Sequence, residues 1–172
     1  MAGNNENFVK LVHVGRKAKV VKGGRRFSFA AIVVAGNQKG MVGIGTGKAT
    51  EVLEAHEKAK TEALKKMNKI SLKDGGTPHH DGMGKFGSSL VKVRTAPPGT
   101  GIIAATLIRA ICEAAGIKDV VIKSFGSSNP YNLLRAAMDA LVNISSPKYI
   151  AEKRGKKVGE INARREKKQK VN

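Results

Sequence analysis

The chain is short of the residues that staple a fold, span a bilayer or do chemistry. It has a single cysteine, Cys112, in 172 residues, so no internal disulfide can form and a reducing compartment is expected. No run of about 18 apolar residues occurs, and no membrane-spanning helix is expected. Tryptophan is absent, with only two tyrosines and five phenylalanines, so the core must be mostly aliphatic. Met1-Ala2-Gly3-Asn4-Asn5-Glu6-Asn7 lacks the charged-then-apolar order of a signal peptide; the setting expected is the cytosol or an organelle matrix. No Ser/His/Asp or Cys/His set and no spaced carboxylate pair stands out. Neither an enzyme nor a cofactor is expected. Acidic residues are missing entirely between Asn7 and Thr50.

Positive charge fills that gap. The chain carries 32 Lys and Arg against 13 Asp and Glu, a net charge of +19. A compact chain so charged repels itself unless a polyanion screens it. Nucleic acid is the commonest such partner and an anionic membrane the second. Residues 1–73 are net +10, residues 74–145 net +2 and residues 146–172 net +7. A basic first part, a nearly neutral middle and a basic tail imply different tasks. The middle is suited to packing and to protein partners.

Gly15 to Phe29 concentrates the charge. Arg16, Lys17, Lys19, Lys22, Arg25 and Arg26 surround Gly23-Gly24, flanked by β-leaning residues. Adjacent glycines tolerate positive φ, so this reads as a hairpin tip. Cations held on two strands make a basic finger able to position phosphates, with nothing to suggest base readout. The bland alternative is a solvated surface loop.

Strands are expected at Phe8–Val14 resuming at Ala18–Lys22, at Arg25–Ala35 with Phe27, Phe29, Ala31 and Val33 on one face, and at Met41–Gly45. A helix follows, N-capped by Thr50 and ending near Asn68. Val52, Ala55, Ala59, Ala63, Leu64, Met67 and Ile70 recur at helical spacing. Gly43-Ile44-Gly45-Thr46-Gly47-Lys48 fails both the Walker and the dinucleotide patterns. It remains a glycine-rich lead to a helix N-terminus, where Lys48 and Thr50 would meet a phosphate.

Asp74-Gly75-Gly76-Thr77-Pro78 breaks every pattern and marks a domain boundary. Beyond it are expected a loop or irregular strand over Thr77–Phe86 and a strand at Leu90–Arg94. A helix with Ile103, Leu107, Ile111 and Ala115 on one side then ends at Gly116. A strand at Val120–Phe125 leads to a helix opened by Asn129-Pro130 that buries Leu133, Leu134, Ala137, Met138, Leu141 and Val142. Gly99-Thr100-Gly101-Ile102-Ile103-Ala104 fits a dinucleotide fingerprint, but the acid expected at the end of the next strand is missing. His79-His80-Asp81 lacks metal-site spacing, and Cys112 reads as a small buried hydrophobe. The fold class expected is α+β: a β-β-β-α domain over 7–73, a β-β-α-β-α sandwich over 77–146, and a basic tail over 147–172 with a short helix at Pro147–Lys153.

Val20-Val21-Lys22-Gly23-Gly24-Arg25-Arg26-Phe27-Ser28-Phe29, Gly99-Thr100-Gly101-Ile102-Ile103-Ala104 and Gly126-Ser127-Ser128-Asn129-Pro130 together resemble the bacterial-type small-subunit ribosomal protein S-five family, over roughly residues 7–157. The resemblance implies a dsRBD-like N-terminal domain without the first helix of double-stranded-RNA-binding domains. It also implies a C-terminal domain of the galactokinase/homoserine-kinase fold, whose phosphate loop is absent here, so no activity follows. The implied partners are small-subunit (16S-type) rRNA at the junction of head, neck and body, the neighbouring proteins S-four and S-eight, and the mRNA channel where the message enters. The resemblance also implies an influence on decoding accuracy. Lys22, Gly23, Gly24, Arg25 and Arg26 match the family's hairpin, and Arg154, Lys156 and Lys157 extend the basic surface into the tail. Family members commonly have two glycines where this chain has Ala105 and Thr106.

Overall fold

Glycine placement decides how the first half packs. The structure, a computed structural model, describes residues 7–73 and 76–161. β1 (Phe8–Val21) and β2 (Gly24–Gly36) form a long antiparallel hairpin; β3 (Met41–Ala49) pairs antiparallel with β2. α1 (Val52–Lys65) follows, and β4 (Asn68–Lys69) closes the edge beside Met41 and Val42. β1 runs through the basic stretch without the expected break; its irregularity is a bulge between Leu11 and His13.

β3 continues four residues past the expected Gly45. Its glycines do not weaken it but let α1 lie directly on it. A Cβ on Gly43, Gly45 or Gly47 would run into the carbonyl oxygen of Ala63, Ala59 or Ala55 respectively. Glycine in a strand often marks such a close backbone approach. The buried stripe of α1 is therefore only Ala55, Ala59 and Ala63, with Val52, Leu64 and Met67 half-buried at its rim. The helix ends at Lys65 because Asn68 and Lys69 are needed as β4. Its N-cap is Glu51, with no side-chain cap bond, and not Thr50. Ala49 still pairs with Phe29, which leaves Thr50 in the bend between strand and helix.

The second unit begins after a small hairpin of β5 (Leu72–Lys73) and β6 (Thr77–Pro78). The expected boundary falls in it; Asp74 and Gly75 lie outside the described residues. β7 (Gly82–Phe86), β8 (Ser89–Thr95), β9 (Ile102–Ile103), α2 (Thr106–Ala115), β10 (Val120–Gly126) and α3 (Pro130–Val142) follow. The sheet order is β7-β8-β10-β9, with β9 parallel to β10. β9 was not expected. Gly99 and Gly101 take left-handed φ, and the Gly101 N–H donates to the Asp119 carboxylate at 2.8 Å. That pin lays Ile102 and Ile103 beside Val120 and Val121, so Ile103 is an exposed strand residue and not part of the helix face. Gly116 ends α2 in the left-handed conformation, and Asn129 caps α3 through the Tyr131 N–H. Val142, expected in the core, is exposed at the last turn of α3, where the chain leaves the helix. α4 (Pro147–Arg154) is capped by Ser146.

One core joins the two units. Ala31 and Val33 face α1, while Ile32 and Val34 point the other way and join Val42, Ile44 and Ile70 against Ile108, Ile111, Cys112 and Ala115. The N–H groups of Gln38 and Gly40 donate to the carbonyls of Ala114 and Ala115, each at 2.9 Å. Lys10 meets Glu113 at 2.8 Å, and the Lys118 N–H donates to the Gly76 carbonyl at 2.7 Å. Among the described residues no helix is long and apolar enough to cross a membrane.

Candidate nucleic-acid interface

The β1–β2 hairpin outgrows its sheet. β3 stops at the Phe29–Ala49 pair, so the rows from Lys17–Ser28 to Val21–Gly24 stand as a two-stranded ribbon, about 17 Å long at roughly 3.4 Å per residue. Residues 16–27 are all exposed. The turn centres on Lys22 and Gly23, with Val21 and Gly24 as the closing pair. Of the two tip glycines only Gly24 uses the positive φ that the pair tolerates, at +134°.

Register sorts the cations, because residues directly opposite share a face. Lys17 with Ser28, Lys19 with Arg26, and Lys48 opposite Ala30 and Gly15 fall on one face. The structure thus brings Lys48 to the hairpin's face and not to the helix N-terminus. Arg16, Ala18, Val20, Arg25 and Phe27 occupy the opposite face. There the Arg16 guanidinium lies 3.7 Å from the centroid of the Phe27 ring. Phe27 was expected beside Ala31 and Val33. It shares their parity but is 45% exposed, since the ribbon projects beyond the three-stranded sheet. Lys22 sits at the tip.

The helix-terminus half of the expected site does not assemble. Gly43, Gly45 and Gly47 serve packing, the cap is Glu51, and Glu54 adds negative charge in the first turn. Thr50 loses its capping role and with it the argument for a phosphate there. Arg154, Lys156 and Lys157 are exposed around Gly155, the left-handed cap of α4, on a different element from the ribbon. The tail from 162 to 172 lies outside the described residues.

Other candidates are occupied by structure. His80 Nε2 accepts the Ser145 N–H at 3.1 Å, and Asp81 accepts from the Thr95 N–H and hydroxyl at 2.9 and 3.2 Å. Among the described residues no group of three His, Cys, Asp or Glu is placed to hold a metal ion. Cys112 is buried; burial first, and then the neighbouring Glu113, push its thiol up to about 12, so it stays protonated and inert. The sequence reading missed a cleft of about 350 Å³ between the units, where Lys65 and Lys66 face Arg135. It forms where Ile44 and the segment from Lys65 to Asn68 meet Arg135 and Met138 of α3, a contact too distant in sequence for local pattern to reveal.

Two family profiles match the chain. Ribosomal protein S5, N-terminal domain, covers residues 8–71, and Ribosomal protein S5, C-terminal domain, covers residues 84–154. Among similar proteins is the small ribosomal subunit protein uS5 of Paramagnetospirillum magneticum, 57% identical over 91% of this chain and 75% of that protein. The uS5 of Caulobacter vibrioides is 58% identical over 91% of this chain and 78% of its own length. That of Phenylobacterium zucineum is 56% identical, over 94% and 83%.

Proposed function

The chain belongs to the ribosomal protein S5 family, structural and non-enzymatic proteins of the ribosome, and from that premise we propose that its β1–β2 ribbon holds small-subunit rRNA by the phosphate backbone. The observation that carries this is the exposed ribbon with six cations and no acidic residue from Asn7 to Thr50. Lys17, Lys19, Arg26 and Lys48 run along the backbone on one face. Arg16 and Arg25 reach from the other, and Lys22 leads at the tip with Gly23 and Gly24 setting its direction. Arg154, Lys156 and Lys157 add a second contact.

The family resemblance supports the finer address: the junction of head, neck and body, beside the mRNA channel, with S-four and S-eight as neighbours and an influence on decoding accuracy. Exposed Ile103 and the exposed start of α2 at Ala105 and Thr106 offer a docking edge for such a neighbour, with a β-branched side chain where relatives commonly have glycine.

The test is salt dependence. Binding of the full chain to a transcript of small-subunit rRNA is measured against salt for wild type and for the triple variant Lys17→Gln, Lys19→Gln, Arg26→Gln. The log–log slope should fall by roughly 2–3, at about 0.9 per duplex phosphate contact. An unchanged slope would overturn the ribbon as a phosphate-binding device.

A further inference from the structure

The second unit is nearly neutral in sequence, yet its charges are not mixed in space. The sheet β7-β8-β10-β9 turns Val91, Val93, Val120 and Ile122 inward to α2 and α3. Strand alternation turns Met83, Lys85, Leu90, Lys92, Arg94, Val121, Lys123 and Phe125 to the opposite face. Pairing puts Lys123 directly opposite Lys92, which in turn lies opposite Met83. Phe125 faces Leu90, which faces Lys85, and Val121 faces Arg94.

That outer face carries four cations and no acid. The described acids of the unit are engaged elsewhere: Asp81 with Thr95, Glu113 with Lys10, Asp119 with Gly101, and Asp139 with the Lys85 N–H and Asn143. Among the described residues none of Lys85, Lys92, Arg94 and Lys123 has a carboxylate partner. Like charges directly opposite on neighbouring strands, with Cβ atoms about 4.5–5.5 Å apart, destabilise a sheet. A fold tolerates Lys92 against Lys123 more readily where a polyanion lies over both. The surface between the cations is apolar and open, with Met83 60% and Phe125 54% exposed.

We propose that this outer sheet face is a further RNA-binding surface, distinct from the ribbon and from Arg154, Lys156 and Lys157, taking the phosphate backbone of RNA across Lys92, Arg94 and Lys123. It rests on the reading of the chain as an rRNA-binding protein, and it reassigns part of the second unit from protein docking to nucleic acid. An acidic protein surface is the competing occupant. RNA is favoured because the four cations span three adjacent strands as a continuous field, and the only aromatic among them, Phe125, offers a ring that a base can stack on without sequence preference.

The full chain, its Lys92→Gln/Arg94→Gln/Lys123→Gln variant and the ribbon variant described above are titrated with the same rRNA transcript across salt concentrations and melted without RNA. The sheet variant should lose about 2 from the log–log slope. Its free-protein melting temperature should equal or exceed wild type, since the opposed lysines are gone. Lys123→Gln alone, at the exposed end of the pair, should lower the slope by about one if the triple variant folds poorly. A wild-type slope in both sheet variants, with the ribbon variant still lowered, would overturn this surface and leave the ribbon standing. Wild-type slopes in all variants would remove both. A lower melting temperature in Lys123→Gln would show the lysines to be structural and defeat the inference.

Discussion

A single backbone angle aims the ribbon. Gly24 has φ of +134°, a region that a β-branched residue enters only at a cost of about 1–3 kcal/mol. Gly23, next to it, has no such need, and nothing lies within 4 Å of a Cβ at either position. Gly24→Val should therefore redirect or fray the tip while leaving the melting temperature close to wild type, and rRNA affinity should fall with it. Gly23→Ala should leave both nearly unchanged. Amide chemical shifts from Val20 to Phe27, read beside a thermal melt, separate the cases; a large drop in melting temperature for Gly24→Val would mean the tip is part of the core. The sequence made the Gly-Gly tip legible because glycine pairs are turn chemistry. It could not say which glycine matters, since that depends on the register that makes Lys22 and Gly23 the turn centre.

Elements were legible where their ends are local chemistry. Asn129-Pro130, Ser146-Pro147 and Gly116 each mark a boundary because a cap involves only neighbouring residues. β9 was hidden, since two residues pairing with Val120 and Val121 form a contact distant in sequence. The Gly43, Gly45, Gly47 series was misread for the same reason, its purpose lying in Ala55, Ala59 and Ala63. The free edge of β3 carries a related long-range device. β4 covers only Met41 and Val42, and beyond it the Glu62 carboxylate accepts the Thr46 N–H at 2.5 Å and its hydroxyl at 3.1 Å. The hydrogen bond from Lys66, then that from the Thr46 N–H, hold Glu62 below the usual glutamate range. A carboxyl with a lowered folded-state pKa contributes stability that is fully present above its unfolded value, about 4.3, and is lost as pH falls through the folded value. The stability gap between wild type and Glu62→Gln should be flat from about pH 6 to 8 and close on acidification below about pH 4. A gap independent of pH in chemical denaturation would remove the edge clamp from this account.

At the scale of the molecule, composition foresaw the basic character and the aliphatic core but not the sharing of that core. Alternation in β2 shows two apolar faces, but which helix each one meets, α1 for one and α2 for the other, is set by contacts distant in sequence. Ile32, Val34, Val42 and Ile44 all lie in the cluster with Ile108 and Ile111. Burying an aliphatic side chain contributes about 1.5–3 kcal/mol, so even half of that over these positions is a large share of a typical stability of about 5–15 kcal/mol. The first unit, cut free at residue 73, would expose this face and should not hold a cooperative fold. The full chain should instead unfold in one transition. Both tyrosines, Tyr131 and Tyr149, lie in or after the second sheet, so their fluorescence reports on that half alone. Hydrogen exchange at Ala31 to Ala35 reports on the first half. In a denaturant series the exchange free energies of those amides should converge with the unfolding free energy from tyrosine fluorescence. If Ala31 to Ala35 exchanged through a separate, lower-energy opening, or if the fragment 7–73 melted cooperatively by itself, the interface would be a docking contact between independent domains and not one core.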